Sequence, residues 1–253
     1  MNELTYRTAL ITGASSGLGR GLTAWFAARG VKVFAAARRE ELLRTLADEC
    51  ARSGGQVEPM VLDVADAHET VRRIQALDES CGGLDLIIAN AGIALDTPAK
   101  RIRFEDVERT IQVNVTGAAA TLTAVLPKMV ERDRGQIVGI SSLAAYRGLP
   151  RMAAYSASKA FLKTFLEGLR VDLQGTNVRV TSIQPGFVKS EMTARNRFRM
   201  PFLMETGDAV DLMGRAISRG DREYAFPWQL AGAMGLARAM PNALWDVTAR
   251  RLK

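Results

Sequence analysis

The feature that most constrains this chain is a repeated alternation of strand-like and helix-like segments. Short apolar runs at Arg7–Thr12, Val31–Ala36, Val57–Leu62, Leu84–Ala89, Gln136–Ile140 and Val178–Ile183 read as strands. Between them, Gly17–Arg29, Glu40–Arg52, Ala67–Ser80, Glu105–Glu131 and Met152–Gln174 carry helical periodicity. The strand runs are continuously apolar rather than alternating, as expected of strands covered on both faces. Right-handed crossovers between them give an α/β fold with a parallel, doubly wound sheet. The 253 residues suit a single domain over 1–253.

The regularity ends after Ile183. Residues Phe187–Thr206 have no clean period but hold Phe198, Met200, Phe202, Leu203 and Met204. Asp208–Ser218 reads as a helix and Glu223–Phe226 as a last short strand. Residues 228–253 form an apolar and basic helical extension from Trp228, with Pro241 as its expected break.

Composition narrows the function classes. The apolar share is 47% and the charged share 24%, which allows an ordinary buried core. No apolar run approaches the length of a membrane-spanning helix. Met1 to Arg7 leads straight into a strand and leaves no room for a signal peptide, so a cytoplasmic location is expected. Cys50 and Cys81 lack metal-like or paired spacing and read as reduced thiols. His68, near a helix start, is the one histidine, which argues against a Ser–His–Asp hydrolase and a histidine-ligated metal. No metal site is expected. The net charge of +7 suits a soluble protein with a basic surface. It also suits attraction to anionic ligands or a membrane surface. No dense Lys/Arg run with interleaved aromatics points to nucleic acid.

Thr12-Gly13-Ala14-Ser15-Ser16-Gly17-Leu18-Gly19 follows the first strand and opens a helix. Such a turn lets backbone N–H groups approach a diphosphate, and the helix N-terminus adds partial positive charge. Tyr155 and Lys159 stand four apart near the start of Met152–Gln174, on one helix face. A lysine ammonium beside a phenol lowers its pKa and fits it for proton exchange with an alcohol or carbonyl oxygen. Ser141 and Ser142 end a strand at the carboxyl edge, where open α/β sheets bind ligands.

The Thr-Gly-x-x-x-Gly-x-Gly turn, with Ile140-Ser141-Ser142-Leu143-Ala144 and Tyr155-x-x-x-Lys159, resembles the short-chain dehydrogenase/reductase family. The resemblance runs from Thr8 to about Met192 and implies a Rossmann-type sheet. It points to Ser142 rather than Ser141 as orienting the substrate oxygen. It assigns Tyr155 as general acid/base and Lys159 as its partner and a holder of the nicotinamide ribose. It implies that Asn114 supports a proton relay from a local helix distortion. The cofactor set it implies is Gly13, Ser15, Ser16, Gly17, Leu18, Gly19, Asp63, Val64, Asn90, Ala91, Gly92, Tyr155, Lys159, Pro185, Gly186, Val188 and Ser190. The family usually has a second Asn where Ala89 stands, and often Thr where Ser190 stands.

The activity so implied is hydride transfer between a nicotinamide and a carbonyl or secondary alcohol. At the end of the second strand a carboxylate favours ribose hydroxyls and a basic residue welcomes a 2′-phosphate. Phe34-Ala35-Ala36-Ala37-Arg38-Arg39 offers no acid there. Arg38 therefore predicts NADP(H) over NAD(H), with NAD(H) retained as an alternative, and Arg39 either assists or faces water.

Region 187–220 corresponds to the family's variable substrate lid. Its Phe, Met and Leu residues fit an apolar substrate or simply pack the lid down. Arg195, Arg197 and Arg199 meet an anionic carrier or face water. The extension, with Trp228, Trp245, Arg238, Arg250, Arg251 and Lys253, fits a subunit interface, self-packing or peripheral membrane contact. A homo-dimer or homo-tetramer is expected. Two rivals stand beside the reductase: a cofactor-sensing protein without chemistry, and an NAD-dependent epimerase or dehydratase. The intact Ser142/Tyr155/Lys159 set argues against the first. The second usually brings a longer C-terminal domain and an acid at the second-strand end.

Overall fold

The computed structural model describes residues 6–195 and 200–250. Seven parallel strands run in the order β3-β2-β1-β4-β5-β6-β7. They are β1 (Thr8–Thr12), β2 (Lys32–Ala37), β3 (Val57–Val61), β4 (Leu86–Ala89), β5 (Gly135–Ile140), β6 (Val178–Pro185) and β7 (Glu223–Phe226). The doubly wound α/β sheet expected from the apolar runs is therefore present. The order reverses between β1 and β4, which opens the crevice where such sheets bind ligands.

Helices α1 (Gly17–Ala27), α2 (Glu40–Arg52), α3 (Ala67–Ser80), α4 (Phe104–Ile111), α5 (Ala118–Thr123), α6 (Leu126–Glu131) and α7 (Ala153–Asp172) supply the crossovers. α8 (Thr206–Arg219) precedes β7, and α9 (Trp228–Ala239) and α10 (Asn242–Ala249) close the described chain. Local chemistry marks several ends. Asp66 caps α3 by accepting the Glu69 N–H at 2.9 Å. Gly220, at φ +73°, ends α8 in the left-handed region that L side chains rarely adopt.

Two apolar layers cover the sheet. One centres on α1 and α8, where Leu22, Phe26, Met213 and Ile217 are buried against Ile11 and Val33. The Trp25 indole donates to Asp211 at 2.8 Å and locks these helices together. The other layer packs α3, α5 and α7 through Ile74, Leu122, Leu162 and Leu166 on Ile87 and Ile137. There α7 lies unusually close to β5, because a Cβ on Gly139 would stand 2.5 Å from Leu166 Cδ1. That contact sets the height of the residues on α7 over the sheet.

The single long helix expected over Glu105–Glu131 is instead three helices. Residues Gln112–Gly117 form a wider π turn between α4 and α5. A second break falls at Ala124–Val125, ahead of Pro127 in the first turn of α6. The carbonyl of Ala124 accepts the Gln75 side-chain amide at 3.1 Å. Apolar periodicity runs through both breaks and hides them. By length and mean hydropathy Phe104–Glu131 also qualifies as a membrane span, contrary to the sequence reading. However, 56% of its most apolar window is buried inside this fold, as in a core helix of a globular domain.

The break at Pro241 separates α9 from α10 as expected. Trp245 points inward, donating to the Gly148 carbonyl at 3.3 Å and packing with Leu149 and Met240. Arg147 stacks over its ring and donates to the Met240 carbonyl at 2.7 Å. The extension thus packs on its own chain, while Trp228 stays exposed. Arg197, Phe198, Arg199, Arg251 and Lys253 lie outside the described residues, as does the side chain of Arg195.

Because Trp245 belongs to a small satellite cluster, Trp245→Ala should loosen the extension alone, by about 2–4 kcal/mol. Hydrogen exchange should accelerate across 228–250 with the sheet amides unchanged. Equal acceleration in β1 and β5 would place the extension within the main cooperative unit.

Candidate active site

The turn between β1 and α1 is built around absent side chains. A Cβ on Gly19 would lie 2.3 Å from the Gly13 carbonyl, and one on Gly13 would lie 2.8 Å from Ala91 Cα. Gly13 and Gly17 take φ of +69° and +53°. Ser16 stands at the N-cap of α1 without a side-chain cap, and no acid occupies the first helical turn. The helix end therefore keeps its N–H groups and partial positive charge for an anion, which fits a diphosphate. Leu18 anchors the turn to the core.

Asn90 follows β4 and bridges to β1: its amide donates to the Thr12 carbonyl at 2.9 Å. Thr12 Oγ1 accepts the backbone N–H groups of Asn90 and Ala91 at 3.1 and 3.2 Å. Thr12, which sequence reasoning left out of the site, thus fixes the spacing of its two opening loops. Its signal was its place ahead of the glycines.

The two arginines after β2 diverge. Arg39 donates to Ser15 Oγ at 3.1 and 3.2 Å and to Ser16 Oγ at 2.8 Å. Arg38 instead faces Asp63 at 3.8 Å, a carboxylate it shares with Arg109 at 3.4 Å. Asp63 also accepts the Ala65 N–H at 3.1 Å, and the neighbouring Val64 is buried.

The π turn presents Asn114 to the sheet edge. Its side chain accepts the Ile93 N–H at 2.8 Å and donates to the Ile93 carbonyl at 2.9 Å. It also donates to Ser158 Oγ at 3.0 Å, and Ser158 donates to the Tyr155 carbonyl at 2.7 Å. Ser158, a second residue that the sequence did not single out, so links Asn114 to the helix carrying Tyr155. Asn114 Oδ1 and Lys159 Nζ both flank Gly92, each 3.4 Å from where its Cβ would be.

Ser141 and Ser142 separate cleanly. Ser141 Oγ is buried and donates to the Lys159 carbonyl at 2.8 Å, tying α7 to β5. Ser142 turns into the crevice beside Tyr155, where its hydroxyl accepts the Ala144 N–H at 3.1 Å and donates to the Pro185 carbonyl at 3.4 Å. Lys159 is buried, with Nζ donating to the Ile140 carbonyl at 2.8 Å and 5.8 Å from the Tyr155 ring centre.

This arrangement corrects one electrostatic expectation. Burial pushes the Tyr155 phenol above its ordinary value, with Ser142 pulling the other way, rather than Lys159 drawing it down. Burial also lowers the Lys159 ammonium to about 8. At the far side, Pro185 ends β6 and the Gly186 N–H donates to the Phe226 carbonyl at 2.7 Å. Val188 is buried and bridges Met204, and the Ser190 N–H donates to Thr193 Oγ1 at 2.9 Å. Every described residue of the expected site thus lies along the carboxyl edge of the sheet.

The short chain dehydrogenase family model matches residues 7–200. The chain belongs to the short-chain dehydrogenase family. An uncharacterized oxidoreductase of Myxococcus xanthus is 63% identical over the full length of both chains. A short-chain dehydrogenase from Sphingobium yanoikuyae, solved with NADPH, is 29% identical with a TM-score of 0.80, covering 93% of this chain and 97% of that one. A short-chain dehydrogenase/reductase from Burkholderia phymatum, solved with NAD, has a TM-score of 0.85 over 94% and 95% of the two chains; at 24% identity it shares the fold alone. Within this family the chain is an oxidoreductase with its crevice between β1 and β4.

Proposed function

We propose that this dehydrogenase interconverts a carbonyl compound and a secondary alcohol, using NADP(H). The observation that carries the reading is the convergence at the sheet edge of Ser142, at the end of β5, with Tyr155 and buried Lys159, whose Nζ lies 5.8 Å from the Tyr155 ring centre. NADPH, when bound, supplies the hydride. In reduction, the Tyr155 hydroxyl passes its proton to the substrate oxygen and Ser142 Oγ donates a second hydrogen bond there. Lys159, buried 5.8 Å from the Tyr155 ring centre, would hold the nicotinamide ribose. Asn114, through Ser158, holds the helix turn that carries Tyr155. In oxidation the same groups run in reverse, with Tyr155 as base.

The cofactor preference rests on Arg39, whose guanidinium holds Ser15 and Ser16, and on Arg38 at the end of β2 facing Asp63, with no carboxylate in β2. Arg39 is the closer of the two to the glycine turn. The Sphingobium yanoikuyae relative solved with NADPH supports the same choice. For the substrate we favour an apolar carbonyl compound. Met192, Phe202 and Leu203 remain exposed in the lid region, whereas Met204 packs on the core.

Thermal unfolding with each cofactor tests this. At about a hundred times its dissociation constant, NADPH should stabilise the protein by roughly 2.7 kcal/mol. NADH at the same concentration should give a clearly smaller shift. A larger shift with NADH would overturn the preference, and no shift with either would overturn the oxidoreductase reading.

A further inference from the structure

Arg39 is already held by an anion. Its NH1 meets both carboxylate oxygens of Glu191, at 3.0 and 3.4 Å, while its other two nitrogens hold Ser15 and Ser16. All three guanidinium nitrogens are therefore engaged. Glu191 comes from the opposite side of the crevice, 152 positions along the chain. Ser190, just before it, lies over the glycine turn, 3.5 Å from where a Cβ on Gly17 would be. Anchored by buried Val188 and the Ser190–Thr193 turn, the root of the lid region thus places one carboxylate on the arginine nearest that turn.

We infer that Glu191 is a specificity-determining residue: an internal anion that a 2′-phosphate must displace from Arg39, so that it weakens NADP(H) binding selectively. The inference rests on the proposal that Arg39 meets the 2′-phosphate. A carboxylate and a phosphate compete for the same planar fork of donors, and a carboxylate left nearby repels the phosphate. NAD(H), with a free 2′-hydroxyl, makes no such demand. Asp63 holds Arg38 at a longer 3.8 Å and shares itself with Arg109, so it competes less. The Arg39 and Glu191 side chains are 46% and 62% exposed, which limits the strength of the contact.

Titrating NADP+ and NAD+ separately into wild type, Glu191→Gln, Arg39→Gln and the double variant tests the inference. Glu191→Gln should bind NADP+ about three- to tenfold more tightly, with NAD+ changed by less than about twofold. The gain should shrink as salt rises and vanish in the Arg39→Gln background. No selective gain in Glu191→Gln, an equal change for both cofactors, or a gain that survives without Arg39 would each overturn the inference. The underlying phosphate reading fails differently. In that case Arg39→Gln leaves NADP+ affinity unchanged, or the wild type favours NAD+. Melting temperatures of the variants confirm that each exposed substitution leaves the fold intact.

Discussion

Tyr155→Phe should lower turnover by about 10²–10⁴-fold, the usual contribution of a positioned general acid. Phenylalanine keeps the ring and its packing but removes the hydroxyl proposed to deliver a proton to the substrate oxygen. The variant removes a single hydroxyl from a half-buried side chain and so stays folded. Affinity for NADPH should remain within a few-fold of wild type, because the glycine turn, Asn90 and Arg39 are untouched. Steady-state turnover with an aldehyde or ketone panel, beside a cofactor titration, separates the two effects. Turnover within about tenfold of wild type would remove Tyr155 from the proton-donor role.

Lys159→Met should abolish most turnover and, at the same time, stabilise the cofactor-free protein at pH 7. Burial lowers this ammonium from its ordinary 10.5 to about 8, so holding it charged at neutral pH costs the folded state on the order of 3 kcal/mol. Methionine removes that cost and also removes the bond to the Ile140 carbonyl, leaving a net gain of about 1–2 kcal/mol. The unfolded chain binds the extra proton between pH 8 and 10.5, so wild-type stability rises through that window. The advantage of the variant is therefore full below pH 8 and shrinks toward pH 10.5. Melting temperatures at pH 7 and 9.5 read this directly. A constant difference between the two would show that Lys159 is not the group titrating.

Much of this was legible in the sequence, for reasons that particular residues illustrate. Apolar runs located the strands to within about two residues, most cleanly for the inner strands β1 and β4, whose covered faces leave few polar positions to blur them. The glycine turn was legible because steric exclusion leaves glycine alone at Gly13 and Gly19. Asn114 was found by resemblance, but the π turn that aims it was invisible to periodicity. Apolar side chains continue through Val113 and Val115 whatever the backbone does. The two arginines were found as a pair, yet the chain alone could not say which one approaches Ser15. They leave the end of β2 on diverging paths, and only the folded loops decide. Glu191 could not be read at all, since nothing local ties it to a residue 152 positions away. The raised Tyr155 pKa is not legible from spacing, which gives the lysine's neighbour but not how deeply buried Lys159 and half-buried Tyr155 sit.

Ser141 carries a consequence for how proteins of this shape diversify. Its bond to the Lys159 backbone joins β5 to α7, and the close contact at Gly139 keeps them in register. Ser142, Tyr155 and Lys159 therefore ride on one stiff unit. The surfaces around them belong to other segments: the 147–149 loop under Trp245, the segment at Val188 that bridges Met204, and the helical extension. Mutations that accumulate in those segments alter what enters the crevice without disturbing the proton path. A lineage built on this chassis can inherit its reaction and acquire its selectivity separately.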